Sequence, residues 1–309
     1  YQKVEKFIQE IFWRVYWKGW LELRPKVWTD FVEDLKNIDN SNEYEKAING
    51  ETNIDCFNDW IKELKENNYL HNHTRMWFAS IWIFTLKLPW QLGAAFFMKH
   101  LYDGDIASNT LSWRWVAGIH TINKAYFSSA ENIIKYSSKL VDESLLNSDY
   151  CSISEDIFHE IIPKKFVRPV IKNHEKLLVF ENTLGLKEFN NYASKYKEIY
   201  VVSLCNEMRS IKLDKKVVNF KHRLTYDFVN RLSDRCKIKM INCNQLDDRF
   251  SGASAFYPRI GDVYDLTKEL NLNYIYSNID TLCWGKCRAG YFGFKKFIFE
   301  IIEKLKYLS

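Results

Sequence analysis

The residues of this chain whose types and spacing could do chemistry gather between Tyr69 and Trp115. In order they read Tyr69-Leu-His-Asn-His-Thr-Arg-Met76, Leu88-Pro-Trp90, Asp103-Gly-Asp105, Ser108-Asn109 and Trp113-Arg-Trp115. Asn72 and Arg75 are three apart, so on a helix they share a face. Asp103 and Asp105 flank a glycine, whose backbone freedom lets both carboxylates converge. An arginine and an aspartate buried together must pair, because an isolated buried charge is costly. The set is polar and aromatic on a mostly apolar scaffold. Metal and dinucleotide chemistry find less support. The cysteines, at 56, 151, 205, 236, 243, 283 and 287, form no CxxC pair, and no GxGxxG phosphate loop is present. No metal site is expected, and Cys283 and Cys287, four apart, read as buried thiols.

Helices must hold these residues. Lys3 to Leu23 carries Phe7, Ile8, Ile11, Phe12 and Val15 at helical spacing, and Pro25 marks its end. Further helices are expected over 55–65, 71–86 and 90–101, with loops over the polar run 37–53 and over 103–109. Residues 130–170 read as a connection containing Pro163 and Pro169. Beyond it the pattern changes. Lys176–Phe180, Glu198–Leu204, Lys237–Asn242 and Asn273–Ser277 are short apolar runs of β character. Helical stretches near 186–196, 223–235 and 261–270 alternate with them, and a helix near 293–307 closes the chain. Strands alternating with helices imply a parallel α/β sheet. The expected fold is multidomain: an all-α helical domain over 1–140, a connection over 141–170 and an α/β, Rossmann-like domain over 171–309. The tryptophans suggest a similar split, since ten of the eleven stand at or before Trp115.

A length of 309 residues suffices for two cores. The net charge of +5 permits nucleic-acid binding without demanding it. The apolar stretch from Met76 to Leu92 is broken by Thr85, Lys87 and Pro89 and falls short of the ~20 residues of a membrane span. An odd, irregular set of cysteines suits a reducing compartment, so a cytoplasmic protein away from membranes is expected. Lys164-Lys165 and Lys295-Lys296 read as solvated surface. The chain opens at Tyr1 directly on a helical pattern, as a fragment lacking its N-terminal part would.

Taken in order, HNxxRM at 71–76, DGDxAxN at 103–109 and WxW at 113–115 resemble the flavin-binding domain of DNA photolyases and cryptochromes. Gln9-Glu-Ile-Phe-Trp-Arg14 resembles that family's E-x-x-W-R helix, and the likeness runs over about residues 5 to 127. The resemblance implies a photolyase-type FAD-binding helical domain. It implies FAD as cofactor, held by Arg14, Asn72, Arg75, Asp103, Asp105 and Asn109. Arg75 and Asp103 would form a salt bridge beside the isoalloxazine, Asp105 would face the ring or ribityl side, and Asn109 would sit near flavin N5. Catalytic roles fall to Glu10, Trp13, Asn72, Met76, Trp90 and Trp113. Glu10 would hydrogen-bond a flipped pyrimidine dimer, Trp13 would stack on it, Met76 would pack against it and Asn72 would shape its pocket. Trp90 and Trp113 would belong to a tryptophan chain that photoreduces the flavin. DNA contacts would come from Glu10, Trp13, Arg14, Trp17, Asn72 and His73. The segment that cradles the FAD diphosphate lies upstream in the family, and the resemblance leaves room for an antenna chromophore of unspecified identity.

The implied activity is that of a deoxyribodipyrimidine photo-lyase, a carbon–carbon lyase acting as a monomer on damaged DNA with a flipped dimer. Electron transfer from reduced FAD under blue light splits the cyclobutane ring. Met76, where relatives acting on (6-4) photoproducts carry His, and Asn109, where plant cryptochromes often carry Asp, favour that activity. Tyr69, His73 and Phe7, where photolyases usually carry Trp, Arg and Trp, favour the alternative of a cryptochrome-like blue-light photoreceptor without repair. Trp28, Trp60, Trp77 and Trp82 are candidates for a third tryptophan of the chain. The closing run Trp284-Gly-Lys-Cys-Arg-Ala-Gly-Tyr-Phe-Gly-Phe-Lys-Lys296 resembles the tail of a compact photolyase-like branch and carries no assigned role.

Overall fold

Apolar side chains at helical spacing, closed off by caps, set the first half of the chain. The computed structural model describes residues 2–121, 124–137, 139–146, 159–166 and 175–307. Helices run over Glu5–Glu22, Lys26–Asn37, Asn42–Asn49, Asp55–Asn67, Asn72–Ser80, Trp90–His100, Ile106–Val116 and Ala130–Ser137. Asn72–Ser80 continues into a wider π-type turn, Ile81–Thr85. The helix Asn42–Asn49 stands inside the polar run expected as a loop. Ser41 accepts a hydrogen bond from Tyr44 N at 3.1 Å, Glu43 and Glu45 occupy the first turn, and Gly50 ends the helix at φ 70°. Cap, charge and a left-handed glycine secure a helix of which only Ala47 is buried. The loop expected over 103–109 is shorter than its composition suggests. Asp105 accepts from Ser108 N at 2.9 Å and so starts the helix at Ile106.

The second half builds five parallel strands: β1 Lys176–Phe180, β2 Glu198–Ser203, β3 Ile238–Asn242, β4 Ser254–Phe256 and β5 Asn273–Ile275. Their order is β3-β2-β1-β4-β5. β4 falls outside the four expected runs: Ser254-Ala-Phe256 offers one large apolar side chain, whereas the equally short β5 stands in the aromatic run NYIYS. Leu177 and Val179 face one core with Val201, Phe228 and Phe256, while Leu178 and Phe180 face another with Val202, Phe250 and Ala255. A strand buried on both faces reads as the unbroken apolar run KLLVF rather than as an alternation.

Two compact units result. One comprises 1–25, 160–212 and 218–309 and contains the sheet; the other comprises 26–159 and 213–217. Helix Glu5–Glu22, expected with the helical domain, therefore belongs to the sheet-bearing unit. A buried polar knot explains this. Glu22, 4% exposed, accepts from Lys164 Nζ at 2.6 Å, from Tyr257 Oη at 3.0 Å and from Ile260 N at 2.7 Å. Lys164 also hydrogen-bonds Tyr257 and lies 3.8 Å from the centre of its ring. Its side chain is 20% exposed, which corrects the expectation of a solvated lysine. Cys283 and Cys287 are buried, and burial pushes both thiols upward. Cys151 and much of the connection 141–170 lie outside the described residues. Among the described residues, no helix is long and apolar enough to cross a membrane.

Candidate functional site

Arg75 sits in the first turn of helix Asn72–Ser80, where the ring of the N-cap His71 accepts from His73 N at 3.3 Å. Its Nη1 and Nη2 donate to the two carboxylate oxygens of Asp103 at 3.1 and 3.0 Å, and its Nε donates to Leu70 O at 2.8 Å. Such a fork fixes orientation as well as charge. The guanidinium also lies 5.2 Å from the centre of the Tyr69 ring. Side-chain exposures of 19% for Arg75 and 34% for Asp103 place the pair at a rim, not in the core. Asp105 caps its helix, and Asn109, buried one turn on, donates from Nδ2 to Ala94 O at 2.8 Å. An amide has two N–H groups and a carbonyl, so that bond uses part of its capacity. Ser108 Oγ is buried without a hydrogen-bond partner. Asn72 is exposed and Met76 half-buried. His73 is exposed, with its ring 5.4 Å from His71, 5.7 Å from Tyr136 and 5.9 Å from Trp77.

Trp90 and Trp113 are both buried. Trp113 stands edge-on to Phe97 at 5.1 Å and to Trp82 at 6.1 Å. Gly93 makes this approach feasible, since a Cβ there would lie 2.3 Å from Trp113 Cη2. Trp90 stacks on Phe31 at 5.3 Å, and the Arg114 guanidinium lies 5.6 Å from its ring. Among the four candidates for a third tryptophan, Trp82 meets Trp113 and donates Nε1 to Pro89 O at 2.9 Å, one residue before Trp90.

Glu10, Trp13, Arg14 and Trp17 lie in the sheet-bearing unit, on helix Glu5–Glu22. Steps of three and four residues put them on one stripe. Glu10 and Arg14 are exposed and Trp13 is half-buried. Trp17 is 6% exposed, 5.2 Å from Trp13 and 5.1 Å from Tyr16. Its indole is buried against these rings, unlike the exposed Glu10 and Arg14 of the same stripe. Trp13 carries the ring of Tyr291 on one face, with centroids 3.6 Å apart and planes within 11°. Tyr291 is 4% exposed, and its hydroxyl donates to Gln9 O at 2.8 Å. Spacing could not reveal Tyr291, which stands 282 residues from Gln9. Its only sequence signal is its place in the unassigned closing run.

Residues 7–183, more than half of the chain, match the model of the FAD binding domain of DNA photolyase. The chain belongs to the DNA photolyase and cryptochrome family. It is similar to a deoxyribodipyrimidine photo-lyase of Buchnera aphidicola subsp. Baizongia pistaciae, 26% identical over 200 residues that cover 57% of this chain and 41% of that protein. A deoxyribodipyrimidine photo-lyase of Streptomyces griseus is 31% identical over 122 residues, 38% of this chain and 26% of that protein. A cryptochrome DASH of Idiomarina loihiensis is 34% identical over 79 residues, 26% of this chain and 18% of that protein. The chain thus spans less than half the length of these relatives. No solved structure matches it.

The cofactor of this photolyase-family domain is FAD. The residues of the 26–159 unit suit it. A flavin ring presents carbonyl and N–H edges and changes charge when reduced. A guanidinium held bidentately at a rim, an amide with capacity left after its bond to Ala94, and a buried hydroxyl with no partner are groups that such a ring can satisfy.

Proposed function

We propose that this protein is a photolyase that repairs cyclobutane pyrimidine dimers in DNA, with a photolyase-type helical FAD-binding domain followed by an α/β domain. The observation that carries the reading is the bidentate Arg75–Asp103 pair, which ties HNxxRM to DGDxAxN across 28 residues in a chain of this family. Arg75, Asp103, Asp105, Asn109 and Asn72 would hold the flavin. Reduced FAD, when bound, supplies the electron donor that blue light excites. The Arg75 guanidinium, held in place by Asp103 and Leu70 O, can face negative charge on a bound ring. Asn109 offers an amide fixed by Ala94. Glu10, exposed on its helix, can accept the N–H of a pyrimidine edge, and Trp13 can stack on the base. Flipping costs least where a dimer has already weakened pairing and stacking, which gives the protein its preference for damaged DNA.

A second reading, a cryptochrome-like photoreceptor without repair, is favoured by His73. Its ring is set among His71, Trp77 and Tyr136, at the position where the family resemblance implies an arginine. One experiment separates the two. Flavin-loaded protein is reduced and illuminated with blue light in the presence of a UV-damaged thymine oligonucleotide. Return of undamaged thymine absorbance in the light, with none in the dark, is the outcome expected of a photolyase. A flavin that responds to light while thymine stays damaged would select the photoreceptor.

A further inference from the structure

We propose that Tyr291 is a positioning residue of the candidate lesion site: it backs one face of Trp13, so that a flipped pyrimidine stacks only on the other. The proposal rests on the photolyase reading and extends it to the closing run, which that reading leaves without a role.

Four observations carry it. The two rings are nearly parallel at 3.6 Å, so that face of the indole is closed. Tyr291 is buried while Trp13 is half-buried, so the indole keeps exposed surface away from the ring of Tyr291. The Tyr291 hydroxyl donates to the carbonyl of Gln9, the residue before Glu10, so one side chain fixes both the indole and the turn that carries the carboxylate. Finally, the backbone around Tyr291 is clamped to the same helix. Tyr16 Oη donates to Ala289 O at 3.1 Å, and Arg24 Nη2 donates to Arg288 O at 2.7 Å. Gly19 lets Cys287 approach so closely that a Cβ would lie 2.5 Å from its Sγ. Phe294 follows, 6.2 Å from Phe12 and 5.7 Å from Tyr16.

A ring tied down on both sides in sequence is a wall, not a swinging gate. Its physical effect is preorganisation. An indole held in one plane before the base arrives loses little rotational freedom when the base stacks, and affinity rises by what is not lost. Tyrosine suits this task, because its ring stacks while its hydroxyl finds a partner at the edge.

The test compares binding of dimer-containing and undamaged DNA of the same sequence to the full-length, flavin-loaded protein. Tyr291→Phe keeps the stacking ring and should hold the ratio of the two affinities within about 2-fold of wild type. Tyr291→Leu should weaken dimer binding by about 3- to 10-fold, raising KM for the dimer with kcat kept. Affinity for undamaged DNA and flavin content should stay as in wild type. If the Leu variant does not fold, Tyr291→Met, flexible and not planar, supplies the same comparison. A merely structural role would lower flavin content or both affinities together, and the proposal would then be wrong. It also fails if the ratio is unchanged, or if the Leu or Met variant binds the dimer more tightly, which would mean that Tyr291 occupies the place of the base. A wild type with no preference for dimer DNA overturns the photolyase reading, and the proposal with it. A wild type with that preference and indifferent variants sinks the role of Tyr291 alone.

Discussion

Asp103 neutralises Arg75 at the edge of the helical unit, and the two share a pair of charge-assisted hydrogen bonds. Replacing Asp103→Asn removes the charge and one acceptor while the bond from Arg75 to Leu70 O persists. The expected cost is about 2 kcal/mol of stability. Purified protein should also carry less flavin, read from its visible absorbance. Glu10 is the contrasting case. It is exposed, so Glu10→Ala should alter stability by less than about 0.5 kcal/mol and leave flavin bound. Photorepair should slow several-fold, and an unaffected rate would remove Glu10 from the lesion. The Arg75–Asp103 pairing was legible through the family resemblance of HNxxRM and DGDxAxN, which implies that salt bridge, and not through spacing, since the partners stand 28 residues apart. Trp17 was not legible in the same way. Residue type and period place it on the stripe of Glu10 and Trp13, but they do not say which member of a stripe the neighbouring rings cover.

Helix contacts add a second kind of constraint. Gly93 faces the Trp113 indole so closely that Gly93→Ala should push the ring aside, at a cost of about 1–3 kcal/mol. A fall in Tm with flavin still bound would show this; an unchanged Tm would mean that the two helices part without strain. His100, at the end of helix Trp90–His100, is 5% exposed, and its Nδ1 is buried without a partner. Burial, assisted by Lys99, Lys65 and Lys216 and opposed by Asp214, lowers its pKa from 6.5 to about 4. The unfolded chain therefore binds a proton between pH 6.5 and 4 that the folded chain does not, so stability should fall as pH drops through that window. Melting curves should show a shallower fall in His100→Gln, and an identical slope would exclude His100 as the source. Elements of this kind were legible where length allowed a period to show. Helix Asn42–Asn49 was hidden because caps and charge hold it, with little apolar stripe to read. β4 was hidden because Ser254-Ala-Phe256 carries one large apolar side chain, while the equally short β5 lies in the run NYIYS.

Glu22 shows what only the whole molecule could reveal. Burial pushes its carboxyl up against the opposing pull of Lys164, and Lys164 is itself pushed down by burial. Its partners stand 142, 235 and 238 residues away. No local pattern points to them, and Lys164-Lys165 looks like any exposed basic pair. Glu22→Ala would leave a lysine, a tyrosine hydroxyl and a backbone N–H without their acceptor. The expected loss is about 3–5 kcal/mol, or roughly 10 °C in Tm. A change below about 1 kcal/mol would show that water or a neighbour replaces the carboxylate.

That knot also governs how the chain is made. Helix Glu5–Glu22 is synthesised well before the groups that complete it, from Tyr257 to Phe294. Contacts so distant in sequence form late and slowly. During synthesis the nascent helix carries Trp13, Tyr16, Trp17 and Trp20 without their final cover, which is the kind of surface that chaperones hold and that aggregates form on. A stop codon before Tyr291 would therefore harm helix Glu5–Glu22 as much as the segment it removes.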